Sequence, residues 1–126
     1  MMDFNDLAEQ YVAVWNERDA DRRRRRIEAL WAPEGMECTK SRLVQGHQAL
    51  YERVTASHER NVRDAGNIFR SCGNADGHHG LVRFNWTMNV DRTGAVVAAG
   101  AYILTLDDSG RICAAYFFSD PLSSRS

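Results

Sequence analysis

The segment HHGLVRFNW holds the most legible polar chemistry of the chain. His79 and Arg83 stand four residues apart, so on an unbroken strand they project from one face. Imidazole has an ordinary pKa near neutrality, which makes His79 the candidate general acid or base if it faces a pocket. Its parity is opposite to that of Val82, Phe84, Trp86 and Met88, so sharing a pocket with Trp86 requires a bulge between them. Without that bulge, His79 and Arg83 face solvent or a second subunit. His78 and His79 are adjacent, and successive strand residues point to opposite faces, so they do not share a metal ion.

Cys38, Cys72 and Cys113 are scattered singly, without the C-x-x-C spacing of a zinc or redox site. They read as reduced, mostly buried, small apolar residues. Cys38 would be a nucleophile only beside a base or a cation, and no such partner is visible in the sequence. The run Arg22 to Arg26 invites a nucleic-acid reading. Five consecutive helical residues cover the whole circumference, however, so they cannot all meet one phosphate backbone, and Asp19, Asp21 and Glu28 offset them. A solvated helix face is the simpler reading, with room for one arginine at a pocket or subunit rim.

Sixteen Lys and Arg against 17 Asp and Glu give a formal charge of −1, which supplies no global field to gather nucleic acid or anionic membrane. No apolar run approaches membrane-spanning length, and MMDFNDLAEQ lacks the basic start and apolar centre of a signal peptide, so a cytoplasmic location is expected.

The elements that must position these residues are helices first and a long meander afterwards, the pattern of one α+β domain over 1–126 whose curved sheet folds over a helix layer. Asp3 or Asn5 caps a first helix with Phe4, Leu7, Tyr11, Val14 and Trp15 at helical spacing. Asp19 caps a second helix that runs to about Trp31, with Ile27, Leu30 and Trp31 inward and Pro33 closing it. Extended pieces follow at 36–39 and 42–44. Leu50, Val54, His58 and Val62 then recur every four residues in a third helix from His47, at its terminus, to Gly66. Strands are expected at 67–73, 79–90, 96–106 and 112–119, separated by the turn segments GNADG, DRTG and DDSG.

The segments YVAVWNERDADRRRRRIEALWAPEG, Gly46-His47, HHGLVRFNW and LDDSGRI resemble, in that order, the SnoaL-like polyketide cyclase branch of the nuclear transport factor two-like superfamily. The resemblance implies a cone, in which a bent mixed sheet wraps around three N-terminal helices. It also implies a deep pocket at the open end and a homodimer formed by the outer sheet face. It implies no single activity, since this fold hosts isomerases, dehydratases, cyclases, hydrolases and noncatalytic domains.

Similarity to ketosteroid isomerase, a catalytic relative, implies roles for particular residues. Tyr11 matches the helix tyrosine that donates to a developing enolate, and Tyr102 falls where a late-strand acid does the same. The proton-moving carboxylate falls on Cys38, with Glu37 one residue away and, by strand alternation, pointing outward. Tyr11 and Tyr102 as core or pocket-lining tyrosines, and Cys38 as pocket lining, remain the alternatives.

The expected pocket is lined by Tyr11, Trp15, Trp31, Cys38, Tyr51, Trp86, Tyr102 and Phe117 and takes a small apolar or polycyclic ligand. Catalysis there would be cofactor-independent proton transfer next to a carbonyl, with His79 moving the proton and Tyr11 or Tyr102 bonding the oxygen. Noncatalytic ligand binding or assembly is the alternative.

Overall fold

The computed structural model describes residues 3–122. Helix α1 spans Phe4–Asn16, and the Asp3 carboxylate caps it by accepting from the backbone N–H groups of Asn5 and Asp6. One face of α1 buries Leu7, Tyr11, Val14 and Trp15. Helix α2 spans Ala20–Leu30 under an Asp19 cap. It ends before Trp31, which opens strand β1, Trp31–Cys38. The helix thus ends within one residue of the expected Trp31, and the strand that follows already contains Pro33. A residue preceding proline is driven to extended geometry, so Ala32 cannot be helical and the strand begins before the ring.

Strand β2 spans Leu43–Gln45 and helix α3 His47–Ser57. The last turns of that helical stretch, His58–Asp64, are wound as a π-helix. His47 Nε2 donates to the Trp31 carbonyl at 2.9 Å, latching the start of α3 to the start of β1. Strands β3, Asn67–Ser71, β4, Asp76–His78, β5, Leu81–Val90, β6, Val96–Leu106, and β7, Ile112–Asp120, complete a seven-stranded mixed sheet. Its order is β2-β1-β7-β6-β5-β3, with β4 also against β5; β1 and β7 are parallel and the other pairs antiparallel. The architecture is the expected α+β cone: helices laid against one face of a curved, unclosed sheet.

The inner face carries Val82, Phe84 and Trp86 of β5, Tyr102 and Leu104 of β6, and Ala115 of β7, all buried. Phe84 pairs with Tyr102, and Trp86 with Gly100. Gly100 is required there because a Cβ would meet the Phe118 carbonyl and lie 2.7 Å from the Trp86 indole.

Strand β4 was not legible as an element. Residues His79 and Gly80, at φ 52° and 77°, form the two-residue turn of the β4–β5 hairpin. Two successive positive φ values match the right-handed strand twist, and Gly80 supplies one of them without steric cost. GNADG does separate β3 from β4, with Gly73 at φ 72°, and the chain turns a second time at His79-Gly80, so His79 lies in a turn and not in a strand.

Candidate functional site

A pocket of ≈ 790 Å³ opens between α1, the end of α3 with its π-helical continuation, and the inner sheet face. Aromatic side chains form its depth. The Tyr11 ring centroid lies 4.6 Å from that of Tyr102, and the Trp86 ring stacks on Phe117 at 5.4 Å. Six of the eight expected lining residues border it: Tyr11, Trp15, Cys38, Trp86, Tyr102 and Phe117. The other two do not. Trp31 is fully buried in the core behind Tyr11, their centroids 5.2 Å apart, and Tyr51 lies half-buried beneath the Arg24 guanidinium, 4.0 Å from its centroid.

The polar centre of the site is Glu37, which is fully buried. The Tyr102 hydroxyl donates to its Oε2 at 2.9 Å, and Arg53 Nε donates to its Oε1 at 3.2 Å. The outward orientation expected for Glu37 is corrected by the register of β1. Glu37 shares the alternation of buried Trp31 and Gly35 and lies beside buried Ala115, whereas Cys38, expected inward, lies beside exposed Tyr116. Cys38 thus reaches the pocket only at its rim, on the face opposite Glu37. Burial, and then the Glu37 charge, push its thiol up, the wrong direction for a nucleophile.

Tyr11 Oη is buried without a hydrogen-bond partner on the pocket wall, as are the indole nitrogens of Trp15 and Trp86. Burial holds the Tyr11 phenol well above the ordinary tyrosine range, with the Glu37 charge adding to it. Nearby Tyr102, Trp15 and Arg53 partly offset this, although neither Tyr102 nor Trp15 reaches hydrogen-bonding geometry. Tyr102 is raised in the same way by burial, Tyr11 and Glu37. Both phenols are therefore protonated at neutral pH and available as donors.

His79 is exposed and does not line the pocket. No bulge separates it from Trp86; its turn position removes it from the strand face, and Arg83, exposed on the outer side of β5, reaches only toward Asp76 at 4.0 Å. The two histidine rings meet each other, Nδ1 to Nδ1 at 2.9 Å, because a turn residue is not bound by strand alternation. The arginine run is also less uniform than a solvated face. Arg23 is buried and donates to the carbonyls of Glu17 and Arg18 and to Thr55 Oγ1, pinning the α1–α2 junction to α3. The cysteines are free, but Cys72 is exposed and the other two half-buried, so none belongs to the core. No helix among the described residues is long and apolar enough to cross a membrane.

This cone over a half-open pocket defines a protein of nuclear transport factor two-like fold. A candidate SnoaL-like isomerase from Agrobacterium tumefaciens matches at 29% identity and TM-score 0.85, covering 94% of this chain and 97% of the other. A candidate polyketide cyclase from Sinorhizobium meliloti matches at 16% identity and TM-score 0.67 over 89% and 93%. A nuclear transport factor two-like protein of unknown function from an Exiguobacterium species matches at 15% and 0.70 over 92% and 99%. No protein-family model and no curated protein matches the chain. These neighbours agree with the cone in fold.

Proposed function

We propose that the chain binds a small, largely apolar carbonyl compound and moves a proton on the carbon beside that carbonyl, as in isomerisation, aldol-type cyclisation or dehydration. The observation that carries this reading is the Glu37–Tyr102 hydrogen bond behind a wall on which Tyr11 Oη is unpaired. In this reading Tyr11 donates to the carbonyl oxygen and stabilises the charge that develops there. The α-proton passes to Tyr102 Oη as the Tyr102 proton passes to Glu37 Oε2, and the same path in reverse returns a proton to the product. Arg53 holds the second carboxylate oxygen and keeps Glu37 aimed. These steps require a base, donors and a dry pocket.

The complete burial of Glu37 favours a second reading, in which the carboxylate only fixes Tyr102 and Arg53 and the pocket binds without reaction. Proton exchange separates the two. Cyclic ketones and enones that bind are incubated in deuterated buffer, and deuterium entry beside the carbonyl is followed by NMR. Protein-dependent exchange supports catalysis; binding with exchange at the buffer rate supports the noncatalytic reading.

Exposed Val97, Tyr116 and Phe118 lie on the sheet face away from the helices and support pairing of that face with a second copy. Light scattering at micromolar concentration should give twice the mass of one chain, and a monomer mass contradicts the pairing.

A further inference from the structure

We propose that the ligand carries a carboxylate as well as its apolar body, and that Arg53 and Arg60 select it. This rests on the reading of the site as a small-molecule pocket and names the class of compound it takes.

Arg53 spends Nε on Glu37 Oε1, and no hydrogen bond among the described residues engages either of its terminal nitrogens. The side chain is 13% exposed and borders the pocket, with its guanidinium carbon 5.2 Å from the Trp15 ring centroid. Its remaining donors keep access to solvent and have no acceptor among the described residues, so they are open to a ligand at this wall. Glu37 does not satisfy them, since its two oxygens accept from Arg53 Nε and from Tyr102.

A second observation lies across the mouth. Arg60, on the π-helical segment, and Lys40 and Arg42, between β1 and β2, border the same pocket. None of the three enters an ion pair among the described residues. Glu37 offsets the charge of Arg53, and against the other three cations the one acidic lining residue is Asp120. The chain as a whole carries −1, so this excess is local to the pocket and not a consequence of composition. Low-dielectric walls focus such a field on the opening and draw in an anion.

A planar carboxylate matches the forked donors of arginine, whereas a neutral ester offers a weaker acceptor. With the anion at Arg53 and Arg60, the apolar body reaches inward to Trp86 and Phe117, and a ketone oxygen on that body reaches Tyr11. The ligand class is thus an apolar acid, and for the reacting substrate an oxo acid.

Calorimetry with naphthoate, methyl naphthoate and acetonaphthone at low ionic strength tests this, because the three share ring and carbonyl and differ in charge. Naphthoate should bind at least about tenfold more tightly than either neutral probe, and added salt should narrow the gap. Arg53→Lys should weaken naphthoate and spare the ester. Arg60→Gln, at an exposed position that the fold does not need, should do the same and guards against loss of folding in the first variant. Equal or tighter binding of the ester or ketone overturns the carboxylate assignment while leaving the small-molecule pocket standing. Failure of all three to bind at millimolar concentration overturns both.

Discussion

Tyr102 and Glu37 are 65 positions apart in sequence and 2.9 Å apart across the sheet, hydroxyl to carboxylate. Strand β7 lies between their strands, parallel to β1 on one side and antiparallel to β6 on the other. The site therefore exists only in the assembled sheet, and its variants must be read for stability as well as for chemistry.

Glu37→Ala removes one member of a buried ion pair and leaves Arg53 without its partner. A loss of about 3–5 kcal/mol is expected, read by urea unfolding. Glu37→Gln keeps the shape and an acceptor for Tyr102, so it should stay folded and serve for functional comparison.

Tyrosine absorbance gives a direct view of the site. Of the four tyrosines, Tyr11 and Tyr102 are held far above the ordinary value by burial, so they should remain unionised until the protein unfolds. The native state then holds protons that the unfolded state releases above about pH 10, so stability should fall with rising pH from there. Ionisation of Tyr11 and Tyr102 before unfolding would contradict the burial of the pair.

His58 is buried, and desolvation followed by the charges of Arg23, Arg18 and Arg63 lowers its pKa. Its neutral form is the native one, whereas the unfolded chain takes up a proton near pH 6.5. Stability contributed at higher pH should be lost progressively as pH falls below about 6.5. Thermal melting across pH 5–8 of the protein and of His58→Gln checks this; a slope unchanged in the variant would assign it to other groups.

His79→Ala should leave ligand affinity and any proton exchange unchanged, since the residue lies in the exposed β4–β5 turn. A loss of either would place the imidazole at the pocket after all.

The helices, the late strands and the inward set Val82, Phe84, Trp86 and Tyr102 were legible because apolar periodicity is a local signal. Glu37 was not. Its inward face follows the alternation of buried Trp31, but matching Cys38 to the inward carboxylate assigned Glu37 the opposite face, and its partners Arg53 and Tyr102 are distant in sequence. His79 was misplaced for a different reason: the His-Gly pair carries a turn signal, but GNADG just before it carries a stronger one. Trp31 was drawn into the pocket by its aromatic type, although a tryptophan fits a closed core equally well. Arg53 sits on α3 beside inward Val54, where sequence spacing alone gives no reason to single out a cation.

The central claim is that Glu37 accepts the proton through Tyr102 while Tyr11 holds the carbonyl oxygen. Its most direct test is deuterium exchange beside the carbonyl of a bound ketone, compared for the unaltered protein, Glu37→Gln and Tyr11→Phe at matched folding. Exchange should slow by roughly 10²–10⁴-fold in Glu37→Gln and roughly 10²–10³-fold in Tyr11→Phe. Exchange at the original rate in folded Glu37→Gln would contradict it.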